Sequence, residues 1–525
     1  MWGNSLELRF SFFSLTSSRR RDEIDSRAQS KIQCSPPVTH SLCSHSCEQK
    51  TSALRADGPR RSNLERLYMK PHIKFALVIC CAVISPLLSS KAATVQVRVG
   101  AGGLRFNPQN VTIQVGDTVQ WTWAASGHSS TSGTPGNPDG IWDSGVQNIG
   151  FVFSQTFSTG GTFPYYCTPH GACCGMIGSV TVGTPAGAVF VNSNSATNSV
   201  RMYNRAANGQ LSFLGTFNTQ GTGSSSGGLS SQGSLVVRSD HGFLYAVNAG
   251  SNDITAFQVT PTGLTFIGKV PSGGVFPSSV TTFGNFVYVL NAKGTAANIT
   301  GFTIQTNGSL VAIPNSTRPL SVASPSPAQV SFTPDGTTLV VTEKGTRKID
   351  TYAVSGDGTT TGPLVQASAG QGPFGFSFDA ASHLVVSEIT NSSASSYTIA
   401  AGILQAVTAH LTDFGRAACW AICTTDPGLP QQYAYVSNTN SDTLSGYVIS
   451  SDGHLSLVNA DGKTAVLPTG AFPIDLAISS DNQYLYVLAK RLPGIIAFQI
   501  QSDGNLVQIQ SVPGTPSSSF GMIGY

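Results

Sequence analysis

The sequence predicts an all-β protein in two parts, a Greek-key sandwich followed by a seven-bladed β-propeller. With 525 residues, the chain is too long for one hydrophobic core and should form two or three domains. It contains 56 glycines, 28 prolines and only 10% charged residues, a composition that favours strands joined by many turns. Alternating apolar and polar residues begin at Thr94, and from Ala188 onward similar apolar runs recur at a regular interval.

Residues 1–68 fit neither part. They are rich in serine and arginine and hold three cysteines without zinc-site spacing, so we expect a non-native or disordered extension. A basic stretch from Met69, an apolar run over residues 75–88 and the small residues in Ser90-Lys91-Ala92 predict a signal peptide over residues 69–93. A signal peptide begins a protein, so we expect translation to start at Met69. A membrane anchor is the alternative, but the apolar run is shorter than the ~20 residues of a spanning helix.

The charge balance differs along the chain. The whole sequence has a net charge of +3, but residues 1–68 hold 11 of the 29 basic residues and the predicted signal peptide holds three more. The remainder is net negative, with 15 basic and 19 acidic residues. This balance does not favour nucleic acid as a partner.

Alternating strands account for the sequence that follows the predicted signal peptide. Residues 94–99, 111–115 and 118–123 show a period of two. Residues 132–143 are rich in glycine, threonine, proline and asparagine, which predicts a long polar loop. A Greek-key sandwich over residues 94–183 accounts for this pattern.

The loop after the last aromatic strand of this region carries three donor groups of a metal site. Cys167 is followed by His170 three residues later and by Met176 six residues beyond that. A blue copper site needs one Cys and two His in a trigonal arrangement with a weak axial Met, and His128 offers the missing imidazole. Alone, such a Cys is usually a small buried hydrophobe and such a His a satisfied polar residue. Their combined order and spacing predict copper.

At these residues the chain resembles the plastocyanin-like cupredoxins. The resemblance implies one type 1 copper site, with His128, Cys167 and His170 as ligands and Met176 as the axial ligand. The interval between His170 and Met176 is one residue longer than in plastocyanin, and Ser129 stands where many relatives have asparagine. We therefore expect the hydrogen bonding around the ligand loop to differ.

The chain from residue 186 onward is a repeat. Apolar runs end seven times in a polar or small anchor residue, at steps of 43 to 54 residues. This interval matches the ~40–50 residues of a propeller blade, which buries its faces only against neighbouring blades. The anchors predict seven blades over residues 186–525: Asn194, Asn248, Asn291, Glu343, Glu388, Asn438 and Ala489.

Four motifs of the repeat carry a second resemblance. They are Ala246-Val247-Asn248-Ala249-Gly250-Ser251-Asn252, Ser331-Phe332-Thr333-Pro334-Asp335-Gly336, Val341-Thr342-Glu343-Lys344 and Phe472-Pro473-Ile474-Asp475. The repeat is similar to the lactonase-type propellers, the family of the propeller-form 6-phosphogluconolactonases. This implies the seven-bladed fold but not the activity, because one fold hosts many functions.

A lactonase needs a group that delivers water and a cation or donor that holds the oxyanion. The only glutamates after residue 93 are Glu343 and Glu388, both in the anchor position. Their candidate companions are Lys344, Arg347, His410 and Arg416. The alternative is that both glutamates hydrogen-bond between blades, as the asparagines in the same position would, and we favour this structural role.

Five cysteines remain after residue 93, and copper accounts for Cys167. The other four could pair in an oxidising compartment. Cys173 and Cys174 are expected to form a disulfide or to be buried thiols rather than copper ligands. Cys419 and Cys423 should not bond each other, because a four-residue step along a strand at ~3.3 Å per residue exceeds disulfide reach.

Two functions from different classes follow. The first is a periplasmic or secreted copper protein that transfers electrons to a redox partner protein, with the propeller docking a partner or substrate. The second is a propeller lactonase that hydrolyses a small sugar lactone, with the copper domain as an accessory. A pure binding scaffold would require vestigial copper ligands. No stable membrane span is expected after signal cleavage.

Overall fold

The computed structural model describes residues 93–225 and 228–525. The predicted extension over residues 1–68 lies outside the described residues, as does the predicted signal peptide apart from residue 93. Regular structure in the described residues is almost entirely strand, and the helix α1 (Gly171–Cys174) has four residues. This part of the chain contains no helix with the length and apolar character needed to cross a bilayer. The all-β prediction is confirmed.

Nine strands form a sandwich. Their bounds are β1 (Thr94–Val99), β2 (Phe106–Asn107), β3 (Asn110–Ile113), β4 (Thr118–Trp123), β5 (Thr131–Thr134), β6 (Asn137–Asp143), β7 (Val152–Thr156), β8 (Gly161–Tyr166) and β9 (Ile177–Val182). One sheet has the order β2-β1-β4-β7 and the other β3-β9-β8-β5-β6. The pairs β1 with β4 and β3 with β9 are parallel. The sandwich prediction is confirmed.

Strand β4 shows why this sequence forms a sandwich. Its second, fourth and sixth residues are buried, while the residues between them are half-buried. Trp121 at its centre lies 5.5 Å from the ring of Trp142 and 5.4 Å from the ring of Tyr165, measured between ring centroids. These rings come from both sheets, so aromatic packing between the layers holds the end of β8 in place.

The predicted loop over residues 132–143 is wrong. Most of it forms the hairpin of β5 and β6, with Thr134 opposite Asn137 and Gly133 opposite Pro138. Gly133 has a φ of +103°, and a Cβ there would lie 2.4 Å from the Asn137 carbonyl oxygen, so this turn requires glycine. The residues are polar because β6 is exposed along its length except at Trp142 and therefore lacks an apolar alternation.

Thirty strands of the described residues form seven sheets, each one blade. Blade 1 contains β10 (Gly187–Asn192), β11 (Ser199–Arg205), β12 (Leu211–Asn218) and β39 (Met522–Gly524). Blade 2 contains β13 (Leu235–Val237), β14 (Phe243–Asn248), β15 (Asp253–Thr260) and β16 (Gly263–Pro271). Blade 3 contains β17 (Val275–Phe283), β18 (Phe286–Lys293), β19 (Asn298–Ile304), β20 (Leu310–Ala312) and β21 (Arg318–Pro319). Blade 4 contains β22 (Pro327–Phe332), β23 (Thr338–Glu343), β24 (Lys348–Val354) and β25 (Thr360–Ala367).

The remaining blades repeat the same arrangement. Blade 5 contains β26 (Pro373–Phe378), β27 (Leu384–Glu388), β28 (Ser393–Ala400) and β29 (Ile403–Thr412). Blade 6 contains β30 (Ala418–Cys423), β31 (Gln432–Asn438), β32 (Thr443–Ile449), β33 (Leu455–Leu457) and β34 (Ala465–Val466). Blade 7 contains β35 (Pro473–Ile478), β36 (Tyr484–Ala489), β37 (Gly494–Ile500) and β38 (Leu506–Pro513). The seven-bladed prediction is confirmed.

The ring of blades is closed by the two ends of the repeat. Strand β39 pairs antiparallel with β10, with Val191 opposite Met522, so the last strand is the innermost strand of blade 1. The predicted anchors after the first lie at the end of the second strand of their blades, except Asn291, which lies two residues before the end of β18. In blade 1 that strand ends at Asn192, two residues before the predicted anchor Asn194. The Asn192 amide donates to the Val247 carbonyl and so connects blades 1 and 2.

The central channel is blocked in its middle. The Gln232 side chain donates to the carbonyl of Ala421 at 2.7 Å and accepts from its amide at 3.1 Å. The Trp420 indole donates to the Ser231 carbonyl at 3.1 Å. These contacts divide the channel into a cavity of about 220 Å³ at one end and one of about 290 Å³ at the other.

Candidate metal centre

His128 is fixed by the sandwich core. It follows β4, and its carbonyl accepts hydrogen bonds from the Trp123 indole at 2.7 Å and from the Gln147 amide at 2.8 Å. Its side chain packs on Gly100, where a Cβ would lie 2.7 Å from the His128 ring. Only glycine at this position allows the backbone to approach the imidazole so closely. The ring is buried, with 4% of its residue surface exposed.

The loop from Cys167 to Met176 is closed by its own backbone. The Cys167 amide donates to the Met176 carbonyl at 3.0 Å, and the Met176 amide donates to the His170 carbonyl at 3.2 Å. The carbonyl of Cys167 accepts from the amides of His170 and Gly171. The spacing seen in the sequence thus becomes a compact loop that holds its three donor residues together.

Helix α1 takes up the extra residue of this loop. The Cys174 amide donates to the His170 carbonyl at 3.2 Å, and Gly175 ends the turn with a φ of +68°. Residues 172–175 are exposed, whereas Met176 is fully buried in the sandwich core. The additional length lies at the surface, so it does not move Met176 out of the core.

Three predicted ligands converge. The Cys167 Sγ lies 3.6 Å from His128 Nδ1 and 3.4 Å from His170 Nδ1, and the three donor atoms all lie within 4.8 Å of one another. A trigonal metal ion about 2.0–2.3 Å from each nitrogen and sulfur would hold these donors roughly 3.5–4 Å apart. One thiolate and two imidazoles at this separation fit copper in a trigonal site.

Ser129 connects the two loops of this cluster. Its amide donates to Cys167 Sγ at 3.4 Å, and its Oγ accepts from the Thr168 amide at 2.7 Å. Further hydroxyl contacts join it to Thr168 Oγ1 at 2.8 Å and Thr131 Oγ1 at 3.1 Å. A hydrogen bond to the sulfur favours the thiolate over the thiol. The sequence drew attention to Ser129 but not to Thr168 or Thr131, whose role depends on the fold.

The surroundings favour neutral imidazole at His128. Burial is the main cause that lowers the pKa of His128, and the nearby charge of His170 lowers it further. Neutral imidazole is the form that binds a metal. His170 is half-buried, so one of the two imidazoles lies closer to solvent than the other.

The remaining cysteines lie outside the donor cluster. Cys173 and Cys174 are joined as a disulfide within α1, and both are exposed, so the disulfide alternative is the one observed and the buried-thiol alternative is not. Cys419 and Cys423 are free and buried, as expected from their position on one extended strand, β30.

Glu343 and Glu388 are fully buried at the ends of β23 and β27. Glu343 accepts hydrogen bonds from the Ser321 amide at 2.9 Å and the Ser321 hydroxyl, and Glu388 accepts from the Ser368 hydroxyl at 2.6 Å. Burial raises the pKa of Glu388 to about 7. Neither glutamate lines the cavities at the ends of the channel.

The candidate companions of these glutamates are dispersed. Arg347 and His410 are exposed, and His410 lies on β29, the last strand of its blade. Lys344 follows Glu343 but donates to the carbonyls of Ser230 and Pro327. The partner that sequence reasoning missed is Asp350, which accepts from the same Ser321 amide as Glu343 and whose pKa burial and the Glu343 charge raise to about 8.

Comparison with known proteins supports the interpretation of the sandwich as a copper-binding domain. The family "Copper binding proteins, plastocyanin/azurin family" matches residues 93–183. Halocyanin of Natronomonas pharaonis is 40% identical over 91 residues, which cover 17% of this chain and 55% of halocyanin. Chloroplastic plastocyanin of Tetradesmus obliquus is 33% identical over 111 residues, covering 20% of this chain and 76% of that protein. The chain thus spans only about half the length of halocyanin but most of plastocyanin.

Solved structures show the fold of the second half. A candidate 6-phosphogluconolactonase of Bacteroides fragilis is 19% identical with a TM-score of 0.51, covering 65% of this chain and 98% of its own. A Lactobacillus plantarum protein is 18% identical with a TM-score of 0.52, covering 65% of this chain and all of its own. The family "Lactonase, 7-bladed beta-propeller" matches residues 224–520, more than half of the sequence. The chain therefore belongs to the seven-bladed lactonase β-propeller family and carries a plastocyanin/azurin-type copper-binding domain before the propeller.

Proposed function

We propose that this protein transfers electrons through one type 1 copper site. The ligands are His128 Nδ1, Cys167 Sγ and His170 Nδ1, with the Met176 sulfur as the axial ligand. The observation that carries the proposal is the position of Cys167 Sγ, 3.4 to 3.6 Å from both imidazole nitrogens and 3.4 Å from the Ser129 amide. The propeller serves as the surface that docks a redox partner protein or a substrate.

Bound copper would accept and release single electrons. The chain supplies a frame that keeps the donor atoms in place in both oxidation states. His128 is held through its carbonyl by Trp123 and Gln147, and Cys167 is held by the loop that Met176 closes. Ser129 links the two. A donor set held by packed side chains and hydrogen bonds undergoes little rearrangement when its charge changes.

The proposed location is the periplasm or the cell exterior. Support comes from the signal-peptide pattern over residues 69–93 and from the vicinal disulfide, since disulfides persist in oxidising compartments. N-terminal sequencing of the exported protein tests this proposal. A first residue close to residue 93 is expected, and retention in the cytoplasm would contradict it.

Replacing the thiolate tests the copper site. Cys167→Ser should abolish the intense visible absorption of the copper-loaded protein, because the thiolate-to-copper interaction gives blue sites their colour. The measurement is the visible spectrum after copper loading, with circular dichroism to check the fold. Cys423→Ser is the matched control, because it removes another buried free thiol. An unchanged band in Cys167→Ser would refute the assignment.

A second candidate function is hydrolysis of a sugar lactone by the propeller. The observation that favours it is membership of the lactonase propeller family. Against it, Glu343 and Glu388 are fully buried, and they accept hydrogen bonds from Ser321 and Ser368, which lie in the connections between blades. We therefore rank it below electron transfer.

A further inference from the structure

The cavity of about 290 Å³ at one end of the propeller channel has a largely apolar lining that includes four aromatic residues. Phe374, Trp420, Phe472 and Phe520 face it, and Trp420 packs on Phe374 with 5.0 Å between ring centroids. Small-molecule sites are typically concave and largely apolar, with a few polar groups that orient the ligand. The other channel cavity differs, because Gln232, Gln329, Ser331 and the buried Asp475 are part of its lining.

Three cations lie over aromatic rings that line this cavity, although none of the three is itself a lining residue. Lys490 Nζ lies 3.7 Å from the ring centroid of Phe520, and the Arg491 guanidinium lies 4.0 Å from that of Phe472. Lys344 Nζ lies 5.2 Å from the ring centroid of Phe374. Three of the aromatic residues that line the cavity therefore have a positive charge close to the ring.

The carboxylates near this cavity already accept hydrogen bonds from other groups of the protein. None of its described lining residues is acidic. The Asp442 carboxylate accepts hydrogen bonds from the backbone amides of Gly470 and of the lining residue Phe472, at 2.7 Å each. Glu388 precedes the lining residue Ile389 but accepts hydrogen bonds from the hydroxyls of Ser368 and Ser395. The positive charges at the rim thus exceed the negative ones.

Lys344 distinguishes this cavity from an ordinary packed surface. A lysine over a phenylalanine also occurs away from the cavity, at Lys293 and Phe276, so such pairs alone have a structural explanation. Lys344 is different because burial lowers its pKa to about 8 and no carboxylate in the described residues forms an ion pair with it. Two of its three N–H donors go to carbonyls, Ser230 and Pro327, and the third has no described acceptor.

We propose that this cavity binds a small aromatic carboxylate. The aromatic ring of the ligand packs among Phe374, Trp420 and Phe520, and its carboxylate accepts the remaining N–H of Lys344, with Lys490 adding positive charge. An anion at this position compensates an ammonium group that is otherwise buried without an anionic partner. A sugar acid fits less well, because its several hydroxyls need hydrogen-bond partners and only Ser230, Thr439 and Asn440 of the lining carry hydroxyl or amide side chains. The site is independent of the proposed copper centre.

Calorimetric titration of the full chain tests the proposal with three probes. trans-Cinnamate should bind, trans-cinnamamide should bind at least tenfold more weakly because it lacks the charge, and D-gluconate should show no binding at the same concentrations. Failure of cinnamate to bind the folded protein at millimolar concentration would overturn the proposal. So would gluconate binding as tightly as cinnamate, which would favour a sugar-acid site instead.

Variants locate the site. Lys344→Met and Lys490→Met should each weaken cinnamate binding, Lys344→Met by tenfold or more. The matched control is Lys463→Met, which removes an exposed lysine paired with Asp461 and should leave the affinity unchanged. Melting temperatures show whether each variant is folded, and Lys490→Met keeps the test decisive if Lys344→Met does not fold. Wild-type affinity in both cavity variants would place the ligand elsewhere and overturn the proposal.

Discussion

The hydroxyl of Ser129 joins the two loops of the candidate copper centre. Ser129→Ala removes the acceptor of the Thr168 amide, a hydrogen bond of 2.7 Å. Thr168 is exposed and this hydrogen bond is only part-buried, so the free energy of unfolding should fall by about 0.5–1.5 kcal/mol, the net contribution of an ordinary hydrogen bond. The visible copper band should persist, because the contact to Cys167 Sγ is donated by the Ser129 backbone.

Thermal unfolding and visible spectra of copper-loaded protein measure these two effects separately. Ser154→Ala is the control, because Ser154 forms only an exposed hydrogen bond with Gln120 and should leave both the stability and the band nearly unchanged. Loss of the visible band in Ser129→Ala would show that the side chain, and not only the backbone amide, maintains the metal geometry.

Met176 is buried next to the donor cluster, and its carbonyl accepts from the Cys167 amide. Met176→Leu should retain copper and raise the reduction potential, because a weak axial donor that stabilises the oxidised ion is lost while the volume is conserved. Voltammetry of the loaded protein measures the change, and Met202→Leu in the propeller core is the control. An unchanged potential, or loss of copper from Met176→Leu, would show that Met176 is not a simple axial ligand.

Glu388 ends the second strand of its blade, and its environment makes the stability of that blade sensitive to pH. Its Oε1 accepts from two hydroxyls, while its Oε2 has no hydrogen-bond partner. Burial raises its pKa to about 7, so the folded protein binds this proton more tightly than the unfolded chain does. The resulting stability is present below the ordinary glutamate pKa and is lost as pH rises through 7.

Because of this raised pKa, the wild type should lose on the order of 2–3 kcal/mol of stability between pH 5 and pH 8. Glu388→Gln should remove this part of the loss. The Glu388→Gln variant should still lose some stability in that range, because burial also raises the pKa of Asp475 to about 7. Melting temperatures against pH measure the difference, with the exposed Asp461→Asn as control. Parallel curves for wild type and Glu388→Gln would contradict the prediction.

The sequence pattern predicted the bounds of a strand correctly where one face of the strand is buried. β1 and β4 have the predicted bounds because alternate residues contact the core, whereas the hairpin of β5 and β6 was missed because its residues are mostly polar and exposed. The anchor of blade 1 was displaced by two residues because asparagine occurs at both 192 and 194. Only the contact of Asn192 with Val247 shows which of the two joins the blades.

Contacts between residues far apart in the sequence could not be predicted from local sequence patterns. The repeat predicts the number of blades, but the pairing of β39 with β10 joins residues far apart in sequence and involves a strand with no motif of its own. Cys167, His170 and Met176 were predicted because their spacing within one loop is itself informative, and His128 because it follows an alternating strand upstream of that loop. The aromatic cavity was missed because its rings come from different blades, and only the closed ring brings them together.

The burial of Glu343 and Glu388 bears on whether the propeller catalyses hydrolysis. A hydrolytic propeller would need a water-activating carboxylate or histidine that substrate can reach. Glu343 and Glu388 are fully buried and occupy the anchor position that Asn291 and Asn438 occupy in other blades. The side chains of these asparagines are likewise held by hydrogen bonds to neighbouring side chains. We therefore expect both glutamates to act in structure, not in catalysis.

Proton release from D-glucono-1,5-lactone, followed with the full chain, measures this. Any turnover by the wild type should persist in Glu343→Gln and Glu388→Gln as long as their melting temperatures show folded protein, because neither side chain lines a channel cavity. Turnover that collapses in either variant without loss of melting temperature would assign that glutamate to catalysis and favour the lactonase function. No turnover in any of them, together with reversible one-electron chemistry that depends on Cys167, would leave the copper centre as the part that performs the chemistry.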